Sequence, residues 1–151
     1  RAAPDGAPIK YETPAGARMI LDAPPRVRPL LRDPSIPLYI TEGIRKADAA
    51  ISRALCCVAL LGVTNWRGMN VSGGKTALTC WQSVALNGRT VFIAFDSDSA
   101  TKRPVLLQSL ALGEYLESKG ATVQIINLPS GPNGIKVGLD DYFVAGGAAV
   151  D

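Results

Sequence analysis

Apolar residues in this chain gather into short unbroken runs, and each run stops at a glycine, an amide or an acid. Val91-Phe92-Ile93-Ala94 closes on Phe95-Asp96-Ser97-Asp98, and Leu38-Tyr39-Ile40-Thr41 closes on Glu42-Gly43. Cys57-Val58-Ala59-Leu60-Leu61 ends at Gly62, and Thr122-Val123-Gln124-Ile125-Ile126 ends at Asn127. Runs of this length without alternation read as strands buried on both faces, the habit of parallel sheets. Strands are therefore expected over 36–41, 57–61, 90–95 and 122–127. Between them, the Ala-rich stretch 44–55 has good helix propensity. Pro104 suits the first turn of a helix running to Lys119, with Gly120 as its stop. A last short helix is expected over 139–145. The region 65–74 carries loop signals, 75–84 reads as a short helix, and Asn87-Gly88 as a turn. Strands separated by helices imply right-handed crossovers. The expected fold is α/β, a Rossmann-like, mainly parallel four-stranded sheet with helices on both faces.

Residues 1–34 break this pattern. Seven prolines (Pro4, Pro8, Pro14, Pro24, Pro25, Pro29 and Pro34) leave no room for a long helix or a central strand. Arg18, Arg26, Arg28 and Arg32 make the stretch basic, while Met19, Ile20, Leu21, Val27, Leu30 and Leu31 are too many apolar residues for a free linker. The expected organisation is an irregular, Pro-rich arm over 1–34 packed on a domain over 35–151. With 151 residues, 47% of them hydrophobic, the chain has material for one substantial core. No apolar run approaches a membrane span, and a membrane partner is not expected. Three cysteines, two of them adjacent, make no disulfide framework, which points to a reducing cytoplasm. The lack of an initiator Met and the abrupt end suggest a fragment of a larger protein.

The chemistry lies at the strand ends. Asp96 and Asp98 are two residues apart, so they leave an extended strand on one side, and in open α/β sheets ligands bind outside the carboxyl ends of the strands. Glu42 ends another run in the same manner. Three carboxylates in one cleft raise each other's cost of ionisation unless a cation sits between them. Mg²⁺, or Mn²⁺ in its place, suits such oxygen ligands, whereas the absence of His and the spacing of Cys56, Cys57 and Cys80 argue against zinc. The net charge is only +3, yet Arg45, Lys46, Arg67, Lys75, Lys102 and Arg103 all lie in or near segments leaving strand ends. An acidic centre in a basic rim suits a polyanion. An acidic turn on an ordinary solvated surface is the alternative.

Thr41-Glu42-Gly43, the helix containing Lys46-Ala47-Asp48-Ala49, Phe95-Asp96-Ser97-Asp98, and the closing Lys136-Val137-Gly138-Leu139-Asp140-Asp141-Tyr142 together resemble the Toprim domain. That domain is shared by primases, topoisomerases and certain nucleases, and the resemblance is closest to replication proteins of phages and integrated mobile elements. It implies the Toprim fold over about 36–146 and Mg²⁺-dependent nucleotidyl or phosphoryl transfer on DNA, with RNA as the alternative, using nucleotides. Glu42 would be the general acid or base, Asp96 and Asp98 would complete the catalytic set, and Glu42, Asp96, Asp98 and Asp140 would be the candidate metal ligands. The expected partners are a helicase or other replication domains. A Toprim nuclease and a non-catalytic module that binds nucleic acid or a helicase are the other readings. One departure stands out: many primases carry an acid four residues after the Glu, and here that position is Lys46.

Rival motifs fit less well. Gly73-Gly74-Lys75-Thr76 lacks the first glycine of a P-loop, since residue 69 is Met. An aspartate-nucleophile phosphatase would place its Thr earlier than Thr101, and a receiver domain would want a Lys where Asn127-Leu128-Pro129 stands. Trp66 and Trp81 read as packing anchors, Cys56 and Cys57 as small core residues.

Overall fold

The computed structural model describes residues 17–149. Four parallel strands form the central sheet: β1 (Leu38–Glu42), β2 (Cys56–Leu60), β5 (Thr90–Ile93) and β6 (Thr122–Ile125), in the order β2-β1-β5-β6. Pro37 has no N–H to give a ladder, so β1 begins one residue after it rather than at 36. Leu38 pairs with Cys56 on one side and with Val91 on the other, which fixes the register of β2, β1 and β5. All of β2 and most of β1 and β5 are buried, as continuous apolar runs require.

Helix α1 (Ile44–Ser52) carries the chain from β1 to β2, and α2 (Arg103–Ser118) carries it from β5 to β6. The two crossovers run in opposite directions along the sheet, so right-handed connections place α1 and α2 on opposite faces. The short α3 (Leu139–Val144) packs beside α1. α1 ends earlier than 55 because Ala54 adopts a left-handed conformation, φ 61°, and Leu55 N–H turns back to Ala50 O.

The short helix expected over 75–84 is not formed. An antiparallel hairpin stands there instead, β3 (Arg67–Met69) with β4 (Lys75–Ala77), followed by a 3₁₀ turn at Thr79–Ser83. Asn70 decides this locally: its Oδ1 accepts from the N–H groups of Ser72 and Gly74, and Gly73 takes the positive φ the tip needs. A tight, self-closing tip turns the glycines into a hairpin rather than a helix start, and Lys75 falls on a strand, outside any strand–loop–helix phosphate cradle.

The first half of the arm lies outside the described residues. From 17 onward the chain lies on the domain. Asp22 exchanges both backbone hydrogen bonds with Ala59, covering the free edge of β2, while Leu21, Val27 and Leu31 enter the core. Arg89 fastens this wrap. It is fully buried, no carboxylate among the described residues pairs with it, and its guanidinium donates to the carbonyls of Leu30, Leu31, Ile36 and Ala85. Burial pulls its pKa down, while the nearby Cys56 and Asp33 oppose that shift.

Arg89→Met should therefore cost about 3 kcal/mol or more, because it orphans several carbonyls at once. Urea unfolding of both proteins measures it, and a loss below about 1 kcal/mol would show that the arm is held by apolar contact alone.

Candidate functional site

The strand order reverses between β1 and β5: the chain leaves β1 toward β2 and leaves β5 toward β6. The crevice at their carboxyl ends is the place where such sheets bind ligands. Ile40 pairs with Ile93, and Ala94 N–H continues the ladder to Ile40 O. Two residues further along each strand, Glu42 stands level with Phe95, one step before Asp96. Gly43, at φ 90°, turns the chain from β1 into α1. This brings Lys46, in the first turn of α1, over the end of β5.

Asp96 is 4% exposed, and a carboxylate so buried must be neutralised. Lys46 Nζ lies against Asp96 Oδ1, and Lys136 Nζ is 2.6 Å from Oδ2. Asp98 is paired in turn with Lys102 at 2.6 Å and with Lys136 at 3.8 Å. The hydrogen bond from Lys102 holds the Asp98 carboxyl below its usual value against a small opposing effect of burial, and the charges of Lys136 and Lys102 assist. The hydrogen bond to Asp96 raises the Lys136 ammonium pKa most strongly; burial opposes it, and the charges of Asp96, Asp98 and Glu42 add to the rise. One ammonium thus feels all three acids picked out from the sequence.

Lys136 is held there by a docked loop. Ser97 N–H donates to Val137 O, and Val137 N–H donates to Ser97 Oγ, each at 2.9 Å. Gly138 follows, its N–H capped by Asp141 Oδ2 at 3.0 Å. A Cβ on Gly138 would come within 2.7 Å of both Asp140 Oδ1 and Lys46 Cε, and 3.2 Å from Asp96 Oδ1. Only glycine leaves that space open.

Carboxylate oxygens are the ligands that hard divalent cations take, and Mg²⁺ usually needs one or two from the protein. Asp96 Oδ1 and Asp140 Oδ1 are both buried without a hydrogen-bond donor, and both lie within 3.2 Å of the same point beside Gly138. For Asp96 Oδ1 the Lys46 contact is ionic only, without hydrogen-bond geometry. This pair of oxygens fits a hard cation. Among the described residues, however, no group of three or more Asp, Glu, Cys or His side chains lies close enough to hold an ion together. Of the four acids, Asp96 and Asp98 are paired with lysines, while Glu42 and Asp140 make no ion pair with the described residues.

The basic residues divide three ways. Lys46 and Lys102 are committed to Asp96 and Asp98, rather than forming a free basic rim. Arg45 and Arg103 are exposed in the first turns of α1 and α2, near the acids in sequence. Arg67 and Lys75 stand apart, in a groove against α2 that none of the acids lines. Lys136 was not among the expected site residues, although it opens the Lys136-Val137-Gly138-Leu139-Asp140-Asp141 motif that signals this loop.

A family model described as "Domain of unknown function (DUF3854)" matches residues 28–150. An uncharacterized protein of Picosynechococcus sp. (strain PCC 7002) is 28% identical over 131 residues, covering 79% of this chain; the chain spans 12% of the length of that relative. No solved structure gives a significant match.

With Asp98 held low, its ionised form stabilises the fold above its ordinary value of 3.8, and that contribution is lost as pH falls through the lower native value. The stability gap between the native protein and Asp98→Asn should therefore be present near neutrality and shrink in strong acid. Urea melts across that range test it; a gap independent of pH would mean that the Lys102 and Lys136 contacts carry no charge-dependent stability.

Proposed function

Because the chain belongs to the DUF3854 family, whose description assigns no activity, we propose its function from the site: a Toprim-type catalytic domain of a mobile-element replication protein, performing Mg²⁺-dependent nucleotidyl transfer on nucleic acid in the manner of a primase. The observation that carries this reading is the ammonium of Lys136 paired with both Asp96 and Asp98, with Glu42 adding its charge, at the switch point of a parallel sheet. A position where acids gather positive charge is a position suited to a cation.

Asp96 and Asp140 would hold the ion, with Asp98 beside them. Mg²⁺ supplies Lewis-acid stabilisation of the phosphoryl oxygens. Glu42, half-buried at the end of β1, would take or return the proton of the attacking or leaving hydroxyl. Lys136, whose side chain is 52% exposed, has the freedom to leave Asp96 and meet a substrate phosphate. Lys46, with 21% of its side chain exposed, is more confined and keeps Asp96 oriented. The chain's small share of its longer relative accords with one domain working beside others, and the Toprim resemblance makes a helicase the expected neighbour. A cytoplasmic setting accords with the three free cysteines, and no helix among the described residues is long and apolar enough to cross a membrane.

A second reading has its own support. Ammonium groups meet both oxygens of Asp96, and Lys46 occupies the position where many primases carry an acid, which favours a non-catalytic module that binds nucleic acid or a helicase.

Incubation with labelled single strands, nucleotides and Mg²⁺ separates the readings. Synthesis lengthens the strand, a nuclease shortens it, and a binding module leaves it intact. Glu42→Gln should lower product formation at least about 100-fold with an unchanged melting temperature, and full activity in that variant would refute the assignment.

A further inference from the structure

We infer that the groove between the β3–β4 hairpin, the Thr79–Ser83 turn and α2 binds single-stranded nucleic acid. It encloses about 790 Å³ and is separate from the acid site. The inference rests on the reading of the protein as a domain acting on polynucleotides, and adds where the strand is held.

Charge comes first. Arg67, Lys75 and Lys119 line this groove, and among the described residues no Asp or Glu does. The acid site carries mixed charge, its Asp96 and Asp98 already met by Lys46, Lys102 and Lys136, whereas this groove presents positive charge alone among the described residues and attracts phosphates as it stands. Shape comes second. Its floor is a set of rings, with Tyr115 5.6 Å from Trp66 and 6.0 Å from Trp81, and the guanidinium of Arg67 lies 4.9 Å above Trp66. The indoles are buried, so the stacking surfaces left for a base are the outer face of Arg67 and the half-buried Tyr115. A concavity of this kind takes splayed bases; a duplex is read by elements that protrude into its grooves. Exposed Thr76, Thr79 and Gln82 on the walls offer hydrogen bonds to sugar and phosphate.

Placement comes third. Arg67 also donates to Gln108 on α2, and Lys119 follows the last residue of that helix. Of that helix, Tyr115 lines the groove, and Lys119 lines it just past the helix end. The amino end of α2 lies beside Asp98 through Lys102, so a strand in the groove is held at the other end of the helix, apart from the acid site.

The test is a titration of the intact chain, in EDTA and without nucleotides, with a labelled oligothymidylate of about 16 nucleotides and with a duplex of equal length. Anisotropy reads binding. Trp66 and Trp81 are the chain's two tryptophans, so their fluorescence reports on this groove. The single strand should bind more tightly than the duplex and change the tryptophan emission. Lys75→Glu with Lys119→Glu, both exposed positions, should weaken binding at least about tenfold and reduce the salt slope by about 1.4. Circular dichroism checks that this variant is folded. Absence of single-strand binding, preference for the duplex, or loss that follows Lys102→Glu with Arg103→Glu instead would overturn the inference. Because metal is excluded, none of these outcomes bears on catalysis at Glu42. Lost activity in Glu42→Gln with intact strand binding would likewise leave the groove standing.

Discussion

A carboxylate buried at the end of a parallel strand is the constraint around which this molecule is arranged. Asp96 sits where β5 stops, shielded from water, and it cannot remain ionised there without positive charge. Two separate parts of the chain supply it: Lys46 from the crossover helix after β1, and Lys136 from a loop some forty residues beyond β5. That demand ties α1, the Asp-Ser-Asp turn and the segment before α3 into one unit. It also explains the glycine at 138, where a methyl group would press on Asp96, Asp140 and Lys46 together.

The remainder of the fold keeps that strand end in place. Parallel pairing with β1 puts Glu42 one step from level with Asp96. At the opposite end of β5, Arg89 gathers the carbonyls of the wrapping segment, and among the described residues no carboxylate pairs with it directly. The two ends of one strand thus use opposite solutions for a buried charge: an anion met by ammonium groups, and a cation met by backbone dipoles. Charge is separated as well. Acids and lysines occupy the switch point, while the inserted hairpin builds a cationic, ring-floored groove against α2.

The parallel sheet was legible because β1, β2 and β5 are nearly unbroken apolar runs, although β6 alternates and is only partly buried, and Val91 to Ala94 closing on Asp96 and Asp98 marked the strand end where the candidate site lies without any long-range information. Glu42 was legible for the same reason. The hairpin was hidden because its strands are only three residues long and rely on the Asn70 side chain, a contact that periodicity does not register. Lys136 was harder still, since its place depends on Ser97 clasping Val137 across forty residues. Lys46 and Lys102 looked like rim cations because charge in a sequence does not reveal which lysine has a buried acid beneath it. Arg89 gave no signal in the sequence, because the carbonyls that receive it come together only in the fold.

What joins these features is the proposal that the Asp96 pocket is a cation position, held by lysine ammonium groups and able to pass to a divalent ion. Anomalous diffraction from crystals grown in Mn²⁺ tests this most directly. The account predicts an ion bound by Asp96 and Asp140, with Lys136 turned away from Asp96. Lys46 and Lys136 both still seated on Asp96 at saturating Mn²⁺, with no anomalous peak in the pocket, would contradict it.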